Sequence, residues 1–260
     1  MRFVLVLVAC LIGTAAFGQA DAAKERCNLG VEFYNQGELD KAIAEFTAAI
    51  ALSPNNAFAF KCRSFVLTAR GDHDRALADL NEAIALEPKD GDAHFSRGNL
   101  WRLKGELEEA LADYDKAIAI DPGSASAYVN RGTLLVEQGD NERALADYNE
   151  AILIAPELAA AYSGRAWILA TSPVGAFRDG PKAIEDAKRA NLLSHWKQAD
   201  QLDTLAAAYA EVGKFDEAVK YQEKAIGLST DEELTKEFRS RLDLYRAGKP
   251  FRSEAPKQTT

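Results

Sequence analysis

The 260-residue chain contains few of the side chains on which most catalytic and metal sites depend. It has only three cysteines and three histidines. His73, His94 and His195 follow no HExxH or i,i+4 pattern, and no CxxC pair occurs, which argues against common zinc sites and thiol oxidoreductases. Glycine-rich phosphate loops and the Gly-x-Ser-x-Gly nucleophile motif are also absent. We therefore expect no enzyme, no metal and no cofactor.

The chain also lacks an excess of basic residues. Its 31 Lys and Arg are outnumbered by 40 Asp and Glu, which gives a formal net charge of −9. Nucleic-acid binding depends on basic surface that displaces counterions from phosphates, so we expect no nucleic acid as a partner. The same charge disfavours adsorption to anionic lipid and is typical of a soluble protein.

No apolar stretch at the N-terminus is long enough to span a membrane. The uncharged run Phe3–Phe17 follows Arg2 and has 15 residues, whereas a spanning helix needs about 20. Small residues then stand at Gly18 and Ala20, as a signal peptidase requires. Residues 1–20 are therefore predicted to be a signal peptide cleaved after Ala20, which implies a periplasmic or secreted protein.

Cys10 offers an alternative within the same segment. Leu7-Val8-Ala9-Cys10 resembles the box of bacterial lipoproteins, in which the cysteine is lipidated and becomes the mature N-terminus. The apolar run before Cys10 is short for that pathway. We expect association with a membrane only if Cys10 is lipidated.

The chain contains an internal repeat of 34 residues, seen most clearly between residues 91–124 and 125–158. The matching pairs are Arg97 and Arg131, Gly98 and Gly132, Gly105 and Gly139, Ala110 and Ala144, Tyr114 and Tyr148, Ala117 and Ala151, and Pro122 and Pro156. Small residues let two helices of each repeat approach closely, and the prolines end the second helix. One such helix pair cannot bury its apolar side alone, so several must stack.

This pattern resembles the tetratricopeptide repeat family over nearly the whole chain after residue 20. The resemblance implies an all-α solenoid of about six helix-turn-helix repeats in a right-handed superhelix, with a C-terminal capping helix. The repeats are placed at 23–56, 57–90, 91–124, 125–158, 159–198 and 199–232, the capping helix at 233–248 and a disordered tail at 249–260. The stretch RLDLYRAGKPFR resembles closing segments of some bacterial repeat proteins, which implies a bacterial origin.

The fifth repeat contains an insertion at 171–181, TSPVGAFRDGP. Its prolines and glycines predict a loop. Insertions in solenoids often lie on a binding face, and the alternative is a longer turn without a function.

Two charged positions recur in repeats two to five. They are Arg63, Arg97, Arg131 and Arg165 in the first helices, and Asp79, Asp113, Asp147 and Asp186 in the second. Repeats one and six have Leu29 and Leu205 at the arginine position, and Glu45 and Tyr221 at the aspartate position. Because the two positions change together, we predict structural ion pairs, since a partly buried charge requires a partner. The alternative is a row of arginines that binds acidic ligands.

Cys27 and Cys62 are the cysteines of the predicted mature chain, and they lie one place apart in register on adjacent repeats. Neighbouring helices pack about 8–10 Å apart, whereas a disulfide needs Cα atoms within about 7 Å. We therefore favour two small, partly buried thiols over the disulfide that an exported chain would allow.

In the tetratricopeptide repeat family, the first helices line a concave groove that holds an extended peptide or a partner helix. The usual groove positions, carried over by register, are Lys61, Phe65, Phe95, Asn99, Arg102, Asn130, Thr133, Ser163 and Trp167. Aromatic residues and arginine often anchor interfaces. One specialised version of the family holds a C-terminal carboxylate, but Phe65 and Phe95 stand where that set needs Asn and Lys. We therefore do not expect the chain to bind chaperone tails.

The sequence thus predicts an exported, non-enzymatic scaffold that binds a protein or peptide segment in its concave groove. The alternative is a lipid-anchored envelope assembly factor. Fold alone does not identify the partner, because function depends on the surface residues that each repeat carries.

Overall fold

The computed structural model describes the backbone of residues 2–254 and the side chains of residues 18–254. This part of the chain contains thirteen α-helices, one turn of 3-10 helix at Gly175–Phe177, and no strand. The helices are α1 (Arg2–Asn35), α2 (Leu39–Leu52), α3 (Ala57–Arg70), α4 (His73–Leu86), α5 (Gly91–Lys104), α6 (Leu107–Ile120), α7 (Ala125–Glu137), α8 (Asn141–Ile154), α9 (Ala159–Thr171), α10 (Gly180–Leu193), α11 (Ala199–Glu211), α12 (Phe215–Leu228) and α13 (Glu232–Arg246). The all-α prediction is therefore confirmed.

The helices form two compact units, Met1–Asp121 and Pro122–Thr260. In the first unit, α1 packs on α2, α3 on α4 and α5 on α6, and α2 and α4 each contact the first helix of the following pair. In the second unit, α7 packs on α8, α9 on α10 and α11 on α12, while α13 packs against α12. Each unit is thus a stack of helix pairs, and α13 follows the last pair.

Small residues allow the two helices of a pair to approach. An added Cβ on Gly98 would lie 2.8 Å from the ring of Tyr114, and one on Gly132 would lie 3.1 Å from the ring of Tyr148. Each tyrosine ring therefore occupies the space that a side chain at the glycine would need. Ala110 is fully buried beside the first of these contacts. The repeated glycine and tyrosine are a packing unit.

Glycine also ends first helices, as α3 and α5 show. Gly71 and Gly105 have φ angles of 86° and 82°, in the left-handed region that residues with a Cβ seldom adopt. The amide of Gly105 donates back to carbonyls of α5, which closes the helix and starts the turn into α6.

The insertion in the fifth repeat contains a short turn and the first residues of α10. Arg178 donates to the carbonyl oxygen of Ser172 at 2.9 Å and pairs with Glu211 of α11 at 3.1 Å. The first contact holds the insertion together, and the second fastens it to the sixth repeat.

The prediction of a disordered tail is wrong for residues 249–254. Gly248 turns the chain with a φ of 68°, and the ring of Phe251 then packs 5.7 Å from that of Trp167. An apolar ring that can reach a partly buried indole gains by leaving water, and this gain orders the segment. Residues 255–260 lie outside the described part of the chain.

No helix among the described residues is both long and apolar enough to cross a bilayer. The predicted cleavage after Ala20 falls within α1, and Cys10 lies outside the residues whose side chains are described.

Candidate functional site

The recurring arginines and aspartates form bidentate ion pairs within their own repeats. Arg63 donates from Nε and Nη2 to the two carboxylate oxygens of Asp79, at 2.8 and 2.7 Å. The same geometry joins Arg97 to Asp113, Arg131 to Asp147 and Arg165 to Asp186, with distances between 2.7 and 2.9 Å. The four aspartate side chains are between 1% and 6% exposed, so the arginines neutralise carboxylates that water cannot reach.

In Arg63 and Arg97, the remaining donor of the guanidinium reaches the preceding repeat. Nη1 of Arg63 donates to Thr47 on α2, at 3.0 Å. Nη1 of Arg97 likewise donates to Asn81 on α4, at 2.8 Å. Arg63 and Arg97 therefore each join two repeats as well as two helices, and their charges are used within the stack.

A cavity of about 240 Å³ lies in the first unit, between α1, α3 and α5. Its wall carries large apolar side chains that are open to water: Val31 is 40% exposed, Phe58 54% and Phe65 60%. The ring of Tyr34 meets that of Phe65 edge to face at 5.2 Å, which fixes the position of the phenylalanine. The cavity can accept an apolar side chain from outside the protein.

Lys61 stands on the wall of this first cavity but is not a free cation. Its ammonium group pairs with Asp90, whose side chain also caps α5 by accepting from the amide of Ala93 at 3.1 Å. Burial alone would raise the pKa of Asp90, but the hydrogen bonds from Lys61 and Ala93 outweigh it and lower the pKa.

Cys27 and Cys62 are both free thiols, and Cys62 lies on the wall of the first cavity. Burial raises the pKa of the Cys62 thiol to about 11. The thiol is therefore neutral and unreactive at ordinary pH.

A second cavity of about 430 Å³ lies in the second unit, between α7, α9, α11 and α13. It brings together three residues of the predicted groove, Thr133, Ser163 and Trp167. At one wall, the ring of Tyr148 lies against Gly164, where an added Cβ would be 2.3 Å from it. Only glycine permits this approach of α8 to α9.

The capping helix supplies part of this second cavity, which the sequence analysis missed. Arg241 on α13 is 8% exposed and donates from Nε to Asp203 on α11, at 2.8 Å. Its guanidinium lies over three aromatic rings, those of Trp167 at 5.5 Å, Phe238 at 5.3 Å and Phe251 at 5.2 Å. The sixth repeat has no arginine at the recurring position, so the register of the repeats does not predict this pair.

The other predicted groove residues line neither of these two cavities. The ring of Phe95 lies 6.0 Å from that of Tyr114, whose hydroxyl donates to Asn99 at 2.8 Å. Arg102 is exposed in the last turn of α5, and Asn130 lies on α7. In the part of the chain that the structure describes, no cluster of three His, Cys, Asp or Glu side chains could hold a metal ion.

Four tetratricopeptide repeat models match the chain, at residues 23–56, 66–125, 113–146 and 198–229. No curated protein matches it. Among solved structures, PilF of Pseudomonas aeruginosa is 16% identical, with a TM-score of 0.73 over 86% of this chain and 99% of that one.

Two further structures share the fold. PilW, described as a widely conserved type IV pilus biogenesis factor, is 20% identical, with a TM-score of 0.68 over 82% of this chain and 97% of that one. YrrB, described as a repeat protein with an unusual peptide-binding site, is 22% identical, with a TM-score of 0.57 over 75% of this chain and 97% of that one. The matched models and the stacked helix pairs lead to one conclusion: the chain belongs to the tetratricopeptide repeat family.

Proposed function

We propose that this protein is a non-enzymatic scaffold that binds a protein or peptide segment in the groove formed by its first helices. The observation that carries the proposal is the pair of exposed phenylalanines, Phe58 and Phe65, on the wall of the first cavity. Aromatic rings held open to water beside a cavity are typical of binding surfaces, since covering them is favourable.

The family and one structural neighbour support this proposal. Tetratricopeptide repeat proteins generally act by holding other polypeptides, and YrrB is described as having a peptide-binding site. The four buried ion pairs also support the proposal. Their arginines already bind aspartates of the stack, so the apolar cavity is the surface that stays open to a partner.

We further propose that the protein is exported to the periplasm or cell envelope, on the basis of residues 1–20. Mass spectrometry of the protein from its native host tests this: we expect a mature chain that begins at Asp21. An acylated Cys10 at the N-terminus would instead favour the alternative, a lipid-anchored envelope assembly factor.

Site-specific photo-crosslinking tests binding at the first cavity. A photoreactive phenylalanine analogue at Phe65 should capture a partner in the envelope fraction, and the additional change Phe58→Ala should reduce that capture. The same analogue at Leu153 is the matched control, because Leu153 is 76% exposed on α8 and lines neither cavity. Equal capture of the same proteins at both positions would contradict the proposal.

A further inference from the structure

We propose that the second cavity receives a basic side chain, lysine or arginine, of the polypeptide that the scaffold binds. This inference rests on the proposed function and specifies the chemistry of the bound segment. The cavity, at about 430 Å³, has the size of pockets that bury a ligand group.

Carboxylates dominate the charged groups on the wall of the second cavity. They come from three helices: Glu137 from α7, Asp200 and Asp203 from α11, and Glu237 from α13. Among residues 18–254, Arg241 is the one basic side chain on this wall, and it is already paired with Asp203 at 2.8 Å and with Glu237 at 3.4 Å. The cavity therefore carries a net negative charge that its own residues do not neutralise.

Glu137 and Asp200 are the carboxylates that an incoming group can reach without competing with Arg241. Both are exposed, and neither forms an ion pair with another residue in the described range 18–254. A cation placed in the cavity would meet carboxylates from two helices, α7 and α11, at the same time. A cation on a flat surface would not be approached from two sides in this way.

Asp203 adds a further acceptor to the same wall. Asp203 is 3% exposed, yet both hydrogen bonds that it accepts from described residues, from Gln222 and Arg241, end on Oδ1. Its other oxygen, Oδ2, accepts none from residues 18–254, although the side chain belongs to the cavity wall. A carboxylate oxygen on the cavity wall to which no described residue donates is an acceptor that an N–H group of a ligand can use.

The titration of Tyr148, on the same wall, agrees with a negative cavity. Burial is the main reason that the pKa of this phenol is raised to about 12, and the charges of Asp147 and Glu137 raise it further. The charge of Glu137 therefore acts on the cavity wall, where it would also act on a bound cation.

Other ligand classes fit this cavity less well. An anion would face unneutralised carboxylates, and an apolar side chain would remove Glu137 and Asp200 from water without pairing them. A divalent metal ion would need three or more suitably placed ligands, and no such group occurs in the described part of the chain. A lysine or arginine side chain supplies both the charge and the donors that are needed.

Selection from a random dodecapeptide library displayed on phage tests the inference with the full mature chain. We expect wild-type binders to be enriched in Lys or Arg at a fixed spacing from an apolar residue. The variant Glu137→Gln/Asp200→Asn should lose the basic enrichment and keep the apolar one. The matched control, Glu150→Gln/Glu157→Gln, changes the net charge equally at two exposed positions outside the cavity and should select as wild type does.

The affinity of one selected peptide then gives a quantitative result. Changing its basic residue to Gln should raise the Kd for wild type about tenfold, which corresponds to about 1.4 kcal/mol. The same peptide change should have almost no effect on the Glu137→Gln/Asp200→Asn variant, because the pairing is already lost.

The outcomes separate this inference from the proposed function. Binders without basic enrichment, or basic enrichment that the cavity variant retains, would overturn the inference and leave peptide binding intact. If no peptide is selected while circular dichroism shows a folded protein, both the proposed function and the inference are wrong.

Discussion

The ion pair between Arg63 and Asp79 allows the structural role of the arginine row to be tested. The variant Arg63→Leu introduces the residue that the first and sixth repeats have at this position. It removes both hydrogen bonds to Asp79 and the one to Thr47. The Asp79 side chain is 6% exposed, so water cannot replace these donors unless α4 moves. Removing one partner of a buried pair costs about 3–5 kcal/mol. Because the Arg63 side chain is itself 16% exposed, we expect the lower end of that range.

The double variant Arg63→Leu/Asp79→Leu is the matched control. It removes the uncompensated charge along with its partner and leaves two apolar side chains in contact. Replacing both members of a buried pair by apolar residues is often close to neutral, so we expect a free energy of unfolding within about 1 kcal/mol of wild type. Urea unfolding followed by circular dichroism measures both variants, and hydrogen exchange would place the loss in α3 and α4.

The structural reasoning would be refuted if Arg63→Leu cost less than about 1 kcal/mol and the double variant recovered nothing. A different result would be an Arg63→Leu variant with an unchanged unfolding curve but no photo-crosslinking from position 65. The arginine row would then bind the ligand. That result would favour the alternative that the arginine row binds acidic partners.

Three further changes test packing and titration. Gly164→Ala would place a methyl group 2.3 Å from the Tyr148 ring, so it should lower the free energy of unfolding in urea by about 1–3 kcal/mol. Gly227→Ala is the control: the added methyl group meets nothing within 4 Å inside α12, so it should raise that free energy by about 0.5–1 kcal/mol. Burial raises the pKa of the Cys62 thiol to about 11, so little thiolate is present at pH 8. A colorimetric disulfide reagent at that pH should modify Cys62 about a hundred times more slowly in the folded protein than in the urea-unfolded protein. Equal rates in the two states would contradict this. Phe251→Ala removes a half-buried ring from Trp167 and should cost about 1–2 kcal/mol; an unchanged urea midpoint would show that residues 249–254 do not pack.

Much of the architecture could be predicted because its determinants are local and periodic. The spacing of small residues, aromatic residues and prolines recurs every 34 residues, and each helix pair packs through residues within one period. The partners Arg97 and Asp113 lie 16 residues apart in one repeat, so their joint presence or absence could be read from the chain. The same locality explains why Lys61 and Phe65 fall beside one cavity.

The groove was less predictable, because register gives the position of a residue and not its neighbours. Phe95 and Asn99 occupy groove positions, but the ring of Phe95 packs near Tyr114, and Asn99 accepts a hydrogen bond from that tyrosine. Lys61 is basic in the sequence and neutralised in the structure by Asp90.

By itself, the sequence determined the family, the helix pairs and the ladder of ion pairs, since each depends on residues within about one repeat. Only the tertiary structure decided the acidic second cavity and the order of the segment after Gly248. Arg241 meets Asp203 across 38 residues, and Ser253 meets Thr171 across 82. No periodic signal connects positions so far apart, because such contacts form only when the last helix and the tail fold back onto α9 and α11.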